Sequence, residues 1–201
     1  MPRKFFVLAM ITAGCALVVA CGAPPTNYYR LHYPIADSLP SATADGTLAV
    51  ERFRASQLLR QDRIVYSTSG EQLNYYQYHR WADDPATMVT NLVVRQISSR
   101  GIFRDVYYGR YERQPDYTLR GRLLSLEELD RGGSASARVV LEAELVKTKT
   151  GAVIWSGRAE RERPVAKKDV PSVVGEMSEA AREAISELGE GMAQAISRER
   201  R

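Results

Sequence analysis

Apolar and polar residues alternate most regularly near the middle of the chain. Every second residue of one segment is apolar: Ala137, Val139, Leu141, Ala143 and Leu145. A period of two places these side chains on one face of a β-strand and a mixed set on the other. A second segment places Val153, Trp155, Gly157 and Ala159 on one face. Turn sequences at Gly132-Gly133-Ser134 and Lys149-Thr150-Gly151 complete the prediction of a three-stranded antiparallel meander over residues 117–160.

Two segments follow helical spacing instead. The first begins at Asp84-Pro85, where the aspartate can cap the helix and the proline suits the first helical position, and Gly101 is its stop signal. The second runs over about 171–198 and carries one apolar stripe, as expected for a helix packed on a sheet. Gly189 and Gly191 weaken this helix, so we expect a bend or a close packing contact there.

Shorter strands are predicted before and between these elements. The predicted strands cover residues 27–33, 47–53, 63–67, 73–81 and 103–108. Ser69-Gly70 separates two of them and is a hairpin signal.

The N-terminal segment has a different pattern. Arg3 and Lys4 precede an apolar stretch from Phe5 to Ala20, which is typical of a secretory signal peptide. The sequence Val18-Val19-Ala20-Cys21 resembles a bacterial lipobox, in which the cysteine becomes the lipidated first residue of the mature protein. We therefore expect a signal peptide over 1–20, a lipidated N-terminus and short tether over 21–27, and a domain over 28–201.

Other interpretations of this segment remain open. An uncleaved transmembrane anchor needs roughly 20 apolar residues, whereas this stretch has about 16. Ordinary secretion would leave the chain without lipid. Cys15 is a rival acceptor, although its use would cut the apolar stretch short. Gly22 follows Cys21. Since aspartate there signals inner-membrane retention in bacterial lipoproteins, its absence favours the outer membrane, facing the periplasm.

Charge and cysteine count exclude several classes of function. Loss of Arg3 and Lys4 with the signal peptide lowers the formal net charge from +4 to +2, which argues against nucleic-acid binding. The chain has two cysteines, Cys15 and Cys21. One would be discarded and the other acylated, so the mature domain would have no disulfide and no thiolate for a metal or for catalysis.

Candidate catalytic motifs have simpler interpretations. Lys149-Thr150-Gly151 matches one motif of serine β-lactamases, but no S-x-x-K motif accompanies it and the segment is needed as a turn. The carboxylate pairs Glu127-Glu128 and Glu142/Glu144 are interpreted as a solvated sheet face rather than an acid pair. With His32 and His79 as the two histidines, we expect neither a metal site nor a catalytic site.

An aromatic concentration on the strand over 73–81 suggests a contact surface. Tyr and Trp are favoured at interfaces because they combine apolar area with a polar group. Strand alternation places Tyr76 and Tyr78 on one face and Tyr75 and Trp81 on the other. Trp81 adjoins the helix start and is expected to be buried, so Tyr76 and Tyr78 are the candidate partner contacts. The alternative is ordinary packing of these tyrosines in the core and on the sheet.

The order of several short motifs resembles one protein family. Tyr28-Tyr29-Arg30-Leu31, then Arg80-Trp81 before an Asp-Pro helix start, then Pro115-Asp116-Tyr117-x-Leu119-x-Gly121 and Thr150-Gly151-x-x-x-Trp155 follow the lipobox. This pattern is similar to the ABC-type transport auxiliary lipoproteins of the PqiC/YmbA type, and the resemblance covers nearly the whole mature chain.

The resemblance implies an α+β fold with a mixed, largely antiparallel sheet and two helices packed on it in a single domain. It also implies a non-catalytic, cofactor-free component of intermembrane lipid transport that is held by diacylglycerol and N-acyl (palmitate) lipid on Cys21. Its implied partners are a mammalian-cell-entry (MCE) protein, ABC transporter components and the membrane, and a homo-oligomer is compatible with the sequence. The alternatives are a structural or assembly lipoprotein of the outer membrane, or an enzyme such as a hydrolase.

Overall fold

The computed structural model describes residues 24–35, 46–69, 71–109 and 114–199. Within these ranges, nine strands form one mixed sheet and two long helices pack on it. The predicted α+β fold is therefore confirmed.

The predicted meander is the longest part of the sheet. Its strands are β7 (Tyr117–Asp130), β8 (Ala135–Lys147) and β9 (Ala152–Val165), and both pairings are antiparallel. Gly132 and Gly151 lie in the two turns with positive φ angles of 77° and 72°, a conformation that glycine adopts readily. Lys149-Thr150-Gly151 thus forms a turn, in which the Gly151 amide donates a hydrogen bond to the Lys147 carbonyl over 2.9 Å.

Strand β7 joins the meander to two further groups of strands through parallel pairings. β2 (Thr47–Val50) pairs with the start of β7, β3 (Arg54–Ala55) with its middle and β4 (Arg63–Ser67) with its end. β6 (Asp105–Tyr108) lies beside β2 in parallel. β5 (Leu73–Trp81) pairs antiparallel with β4, and β1 (Asn27–Tyr29) adds a parallel edge to β5.

The two helices enclose the core. α1 (Pro85–Ser99) contacts β6 and β7, α2 (Val170–Glu199) covers β8 and β9, and the helices touch each other. The apolar face of β8 is buried beneath them, as alternation predicts. One stripe of α2 is buried against the sheet: Val173, Met177, Ala181, Ala184, Ile185, Leu188, Met192 and Ile196.

Both predicted signals at the ends of α1 are confirmed. The Asp84 carboxylate accepts a hydrogen bond from the Thr87 amide over 2.9 Å, and Pro85 occupies the first turn. Gly101 follows the helix with a φ of 63°. The predicted close contact at Gly191 is also present, since a Cβ there would lie 2.7 Å from Trp155 Nε1.

Three predicted strands are shorter in the structure, and the last of them, β6, begins at Asp105 rather than at residue 103. The first ends at Tyr29 because Leu31 and Tyr33 are buried from an irregular segment, where the His32 amide donates to Ser178 Oγ over 3.1 Å. The second, predicted over 47–53, stops at Val50. Phe53 then turns into the core and its ring occupies the space that a side chain at Gly121 would need.

A bulge corrects one face assignment in β9. Leu145 pairs with Trp155, but Val146 pairs with Val153, so one extra residue stands between them on β9. An extra residue reverses the face of everything beyond it. The prediction that Val153 shares a face with Trp155 is therefore wrong, and Val153 is 55% exposed.

Candidate functional site

The candidate attachment residue Cys21 lies outside the described residues, as do the predicted signal peptide over 1–20 and Gly22. The described chain starts at Pro24 and enters the sheet at Asn27, on the edge strand β1. No helix in the described part of the chain is long and apolar enough to cross a bilayer.

Strand β5 contains an irregularity that decides which aromatic side chains are exposed. From Val65 back to Arg63 on β4, the partner on β5 changes from Tyr75 to Arg80 rather than to Gln77. Strand β5 therefore has three more residues than β4 between these two pairs. Because three is an odd number, odd-numbered side chains that point to one side of the sheet at Tyr75 point to the other side at Trp81. Trp81 is 2% exposed, as predicted, whereas Tyr75 is 46% exposed. The prediction that these two residues share a face is wrong for this reason.

The candidate contact residues Tyr76 and Tyr78 are both half-buried. The Tyr76 hydroxyl donates to Glu128 Oε2 over 2.6 Å, and its ring packs against the core. Burial, reinforced by this hydrogen bond, raises the pKa of the Tyr76 phenol above its usual range. A contact with a partner through these two tyrosines stays a prediction, and Tyr76 also has a structural role within the domain.

Glu128 corrects the interpretation of the first carboxylate pair as solvated. This side chain is on the core side of the sheet and only 1% exposed. The cause is a bulge in β7, where Leu123 pairs with Leu141 but Ser125 pairs with Val140. The extra residue, Leu124, turns the following even-numbered positions towards the core.

Aromatic rings surround the Tyr76–Glu128 hydrogen bond. The ring centroid of Tyr66 lies 5.0 Å from that of Tyr76. The His79 ring lies 5.6 Å from the Tyr76 ring in an edge-to-face arrangement. His79 Nδ1 and the Tyr29 hydroxyl are 2.9 Å apart. This cluster binds β1, β4, β5 and β7 together. Among the described residues, no three His, Cys, Asp or Glu side chains are grouped to hold a metal ion.

The outer face of β1, β5 and β4 carries exposed aromatic and apolar side chains beside arginines. Tyr28 is 65% exposed and Leu73 is 50% exposed. Tyr28 pairs across the strands with Arg80, which in turn pairs with Arg63. The Arg63 guanidinium lies 4.2 Å from the centre of the Tyr75 ring, a cation–π contact. We call Tyr28, Arg63, Leu73, Tyr75 and Arg80 the aromatic–arginine corner.

Sequence reasoning missed this corner. It proposed the neighbouring Tyr76 and Tyr78 because regular alternation was assumed along β5. The irregular stretch between Tyr75 and Arg80 contains no glycine or proline that would indicate it in the sequence. The density of tyrosines was the one signal present, and it identified the strand but not the face.

The outer face of the meander is an open cleft of about 660 Å³ lined by charged side chains. Glu142 accepts a hydrogen bond from Arg122 over 2.5 Å and lies 3.7 Å from Arg158. Arg158 and Arg138 both reach Glu160. These are exposed pairs, and the second carboxylate pair, Glu142/Glu144, therefore lies on a solvated surface as expected.

Several solved structures share the fold, and two of them superpose over most of the chain. Protein XCC0632 from Xanthomonas campestris superposes with a TM-score of 0.75 and 20% identity over 87% of this chain and 98% of its own. An uncharacterized protein superposes with a TM-score of 0.67 and 17% identity over 84% of this chain and 99% of its own. No curated protein matches the chain.

The family is established by the sequence itself. The model of the ABC-type transport auxiliary lipoprotein component matches residues 29–189, from the edge strand β1 to well inside α2. This range includes the sheet from Tyr29 onwards, all of α1, and α2 as far as residue 189. The chain therefore belongs to the family of ABC-type transport auxiliary lipoprotein components.

Proposed function

We propose that this protein is a lipid-anchored component of an MCE-type, ABC-transporter-linked intermembrane lipid transport system. In this proposal it sits on the outer membrane, faces the periplasm and docks its partners without catalysing a reaction. The observation that carries the proposal is the family match over residues 29–189, preceded in the sequence by the lipobox that ends at Cys21.

The anchor is proposed to be diacylglycerol and an N-acyl chain, such as palmitate, on Cys21. A single acyl chain holds a protein to a membrane only marginally, whereas two or more hold it stably. Cys21→Ser should therefore move the protein from the membrane fraction to the soluble fraction and abolish globomycin-sensitive processing. Unchanged membrane association and size in this variant would contradict the anchor.

A docking role is supported by where the carboxylates lie. Glu128 is bound to Tyr76 in the core, and Glu142 is paired with arginines on an exposed surface. A glycosidase-type mechanism needs two carboxyl groups that converge on one substrate. The described residues offer aromatic and charged surfaces instead, which suits binding.

The decisive experiment is affinity purification of the tagged full-length chain from envelope membranes. We expect an MCE-domain protein and ABC transporter subunits to co-purify with the wild type. The matched control is a tagged, unrelated outer-membrane lipoprotein prepared from the same membranes. Recovery of outer-membrane assembly factors, without an MCE protein, would favour the alternative of a structural or assembly lipoprotein.

The predicted contact residues can be tested in the same assay. Alanine at an interface anchor typically costs more than about 2 kcal/mol of binding free energy. Tyr78→Ala should therefore reduce recovery of the MCE protein while the domain remains folded. Tyr76→Ala is a poor probe by itself because it also removes the hydrogen bond to Glu128. Normal recovery with Tyr78→Ala would place the docking surface elsewhere.

A further inference from the structure

The aromatic–arginine corner carries positive charge that the described residues do not neutralise. Arg80 makes a two-point contact with Asp62, at 3.0 and 2.8 Å from its Nη1 to the two carboxylate oxygens. Arg63 has no carboxylate partner among the described residues and lies on the Tyr75 ring instead. Exposed Arg30 and Arg60 adjoin the corner in sequence. The exposed acids nearby are Glu71 and Asp83, besides the Asp62 that pairs with Arg80, so arginines outnumber acids here by four to three.

The corner also lies where the chain leaves the sheet towards its proposed anchor. Seven residue steps separate Cys21 from Tyr28, and seven extended residues span at most about 23 Å. Edge strand β1 is therefore tied close to the bilayer if Cys21 is lipidated, which is the proposed function on which this inference rests. Strand β9, an edge on the far side of β7, is separated from β1 by β5, β4, β7 and β8.

Five steps across a sheet at about 4.8 Å each give roughly 24 Å between β1 and β9. β1 and β9 thus cannot both be near the membrane when the sheet stands upright on its tether. Tyrosine is enriched in the headgroup region of bilayers because its ring is apolar and its hydroxyl is polar. Arginine rests its aliphatic stem on apolar surface while its charged end reaches phosphate.

We propose that the aromatic–arginine corner lies on the headgroup region of the bilayer that holds the anchor, with anionic phospholipid against Arg63. The corner and the acyl chains then act as two attachments to one surface, and they orient the domain with β1 towards the lipid and β9 away from it. Lipid, rather than a protein, is the occupant because the short tether brings this face to the bilayer.

Site-specific fluorescence quenching tests the orientation. Tyr28→Cys, Tyr75→Cys and Val153→Cys are made in the full-length chain, where acylated Cys21 does not react with a thiol probe. Val153 is the matched control because it is an exposed apolar residue on β9. Each labelled lipoprotein is reconstituted into vesicles of phosphatidylethanolamine and phosphatidylglycerol that carry a headgroup-attached quencher, and circular dichroism checks that each variant is folded.

Probes at positions 28 and 75 should be quenched several-fold more than the probe at 153. Equal quenching at the three positions in membrane-bound protein would overturn the proposal. So would probes at 28 and 75 that are unquenched in vesicles but shielded in native envelopes, since a protein would then cover the corner. Arg63→Glu should reduce the quenching at position 28 in vesicles with phosphatidylglycerol more than in vesicles without it, and an equal reduction would contradict the role of anionic lipid.

These variants also distinguish a failure of the proposed orientation from a failure of the proposed lipid anchor on Cys21. If Cys21→Ser remains membrane-bound at unchanged size, the lipid anchor fails whatever the quenching pattern is. If the acylated protein is membrane-bound and its three probes are equally quenched, the anchor stands and the orientation fails.

Discussion

The sheet presents two outer surfaces of opposite chemical character. On the meander, arginines and glutamates pair across β7, β8 and β9, as Arg122–Glu142 and Arg138–Glu160 do. On β1, β5 and β4, aromatic rings are exposed and Arg63 has no described carboxylate partner. The paired arginines and glutamates keep the first surface polar even though β7 and β9 each contain a bulge. The odd excess in β5 exposes Tyr75 on the second, so a local change of register is enough to change what a surface can bind.

The paired surface also protects the long edge strand β9. Edge strands present unpaired backbone groups, and charged side chains or proline hinder another strand from adding there. Arg158, Glu160, Arg161, Glu162 and Pro164 lie along β9. Short β1, by contrast, offers three residues at the other edge and depends on side chains rather than backbone for contact.

The largest difference in stability is expected between substitutions at Trp81 and at Tyr75, the buried and the exposed aromatic residues of β5. Trp81→Ala should destabilise the domain by about 3–5 kcal/mol, because a buried indole is lost and a cavity remains. Tyr75→Ala should cost about 1 kcal/mol or less, since it removes an exposed ring and one cation–π contact. Urea denaturation of both variants is the measurement. Similar costs would mean that the two residues share an environment.

The next effect concerns the buried hydrogen bond beneath the corner. Tyr76→Phe should cost about 1–3 kcal/mol, because Glu128 stays buried without its donor. Tyr66→Phe is the matched control, since its hydroxyl makes no hydrogen bond within the described part of the chain. Combining Tyr76→Phe with Glu128→Leu should recover part of the loss. Additive losses in the double variant would contradict this pairing.

A smaller contrast is expected along α2. Gly175 faces open space, so Gly175→Ala should stabilise the protein by up to about 1 kcal/mol through helix propensity. Gly191→Ala gains the same propensity but places a methyl group against the Trp155 indole. We expect no gain, or a loss, at position 191. Thermal melting compares the two variants, and equal stabilisation would show that Trp155 moves away freely.

The smallest effect concerns the ion pairs of the meander in acid. Hydrogen bonds from Arg131 at 2.5 Å and from Ser136 at 2.6 Å lower the pKa of Glu162 to about 2. The folded state therefore gains stability above the ordinary carboxyl pKa, and this gain is lost as the pH falls from about 4.5 towards about 2.

Glu162 is solvent-exposed, so screening limits this contribution to about 1 kcal/mol or less. Glu162→Gln should make the unfolding free energy less dependent on pH in that window. The measurement is urea denaturation at a series of pH values, and the same slope in both proteins would remove this pair as a cause.

The sequence predicted the regular elements well for identifiable physical reasons. The strict alternation from Ala137 to Leu145 specified β8, and the Asp84-Pro85 start specified α1. These signals are local, because each lies within the element that it specifies. The amphipathic stripe of α2 is local in the same way and was predicted nearly to its ends.

The remaining features depend on contacts that are distant in sequence. The pairing of Val65 with Glu127 joins segments that no local pattern relates. The register changes in β5, β7 and β9 follow from fitting neighbouring strands together, and the stretch in β5 has no glycine or proline to mark it. For this reason the aromatic strand was identified correctly, whereas the burial of Glu128 and the exposure of Tyr75 were not.

The central position of β7 has a consequence for the order in which the molecule can assemble. β2 pairs with β6, and β4 pairs with β5, but these two units meet only through β7, which comes later in the chain. When the polypeptide is synthesised from its N-terminus, these two units cannot join until β7 has been made. Closing such long loops is entropically costly and slow. The first half of the chain therefore stays exposed to chaperones and proteases for longest.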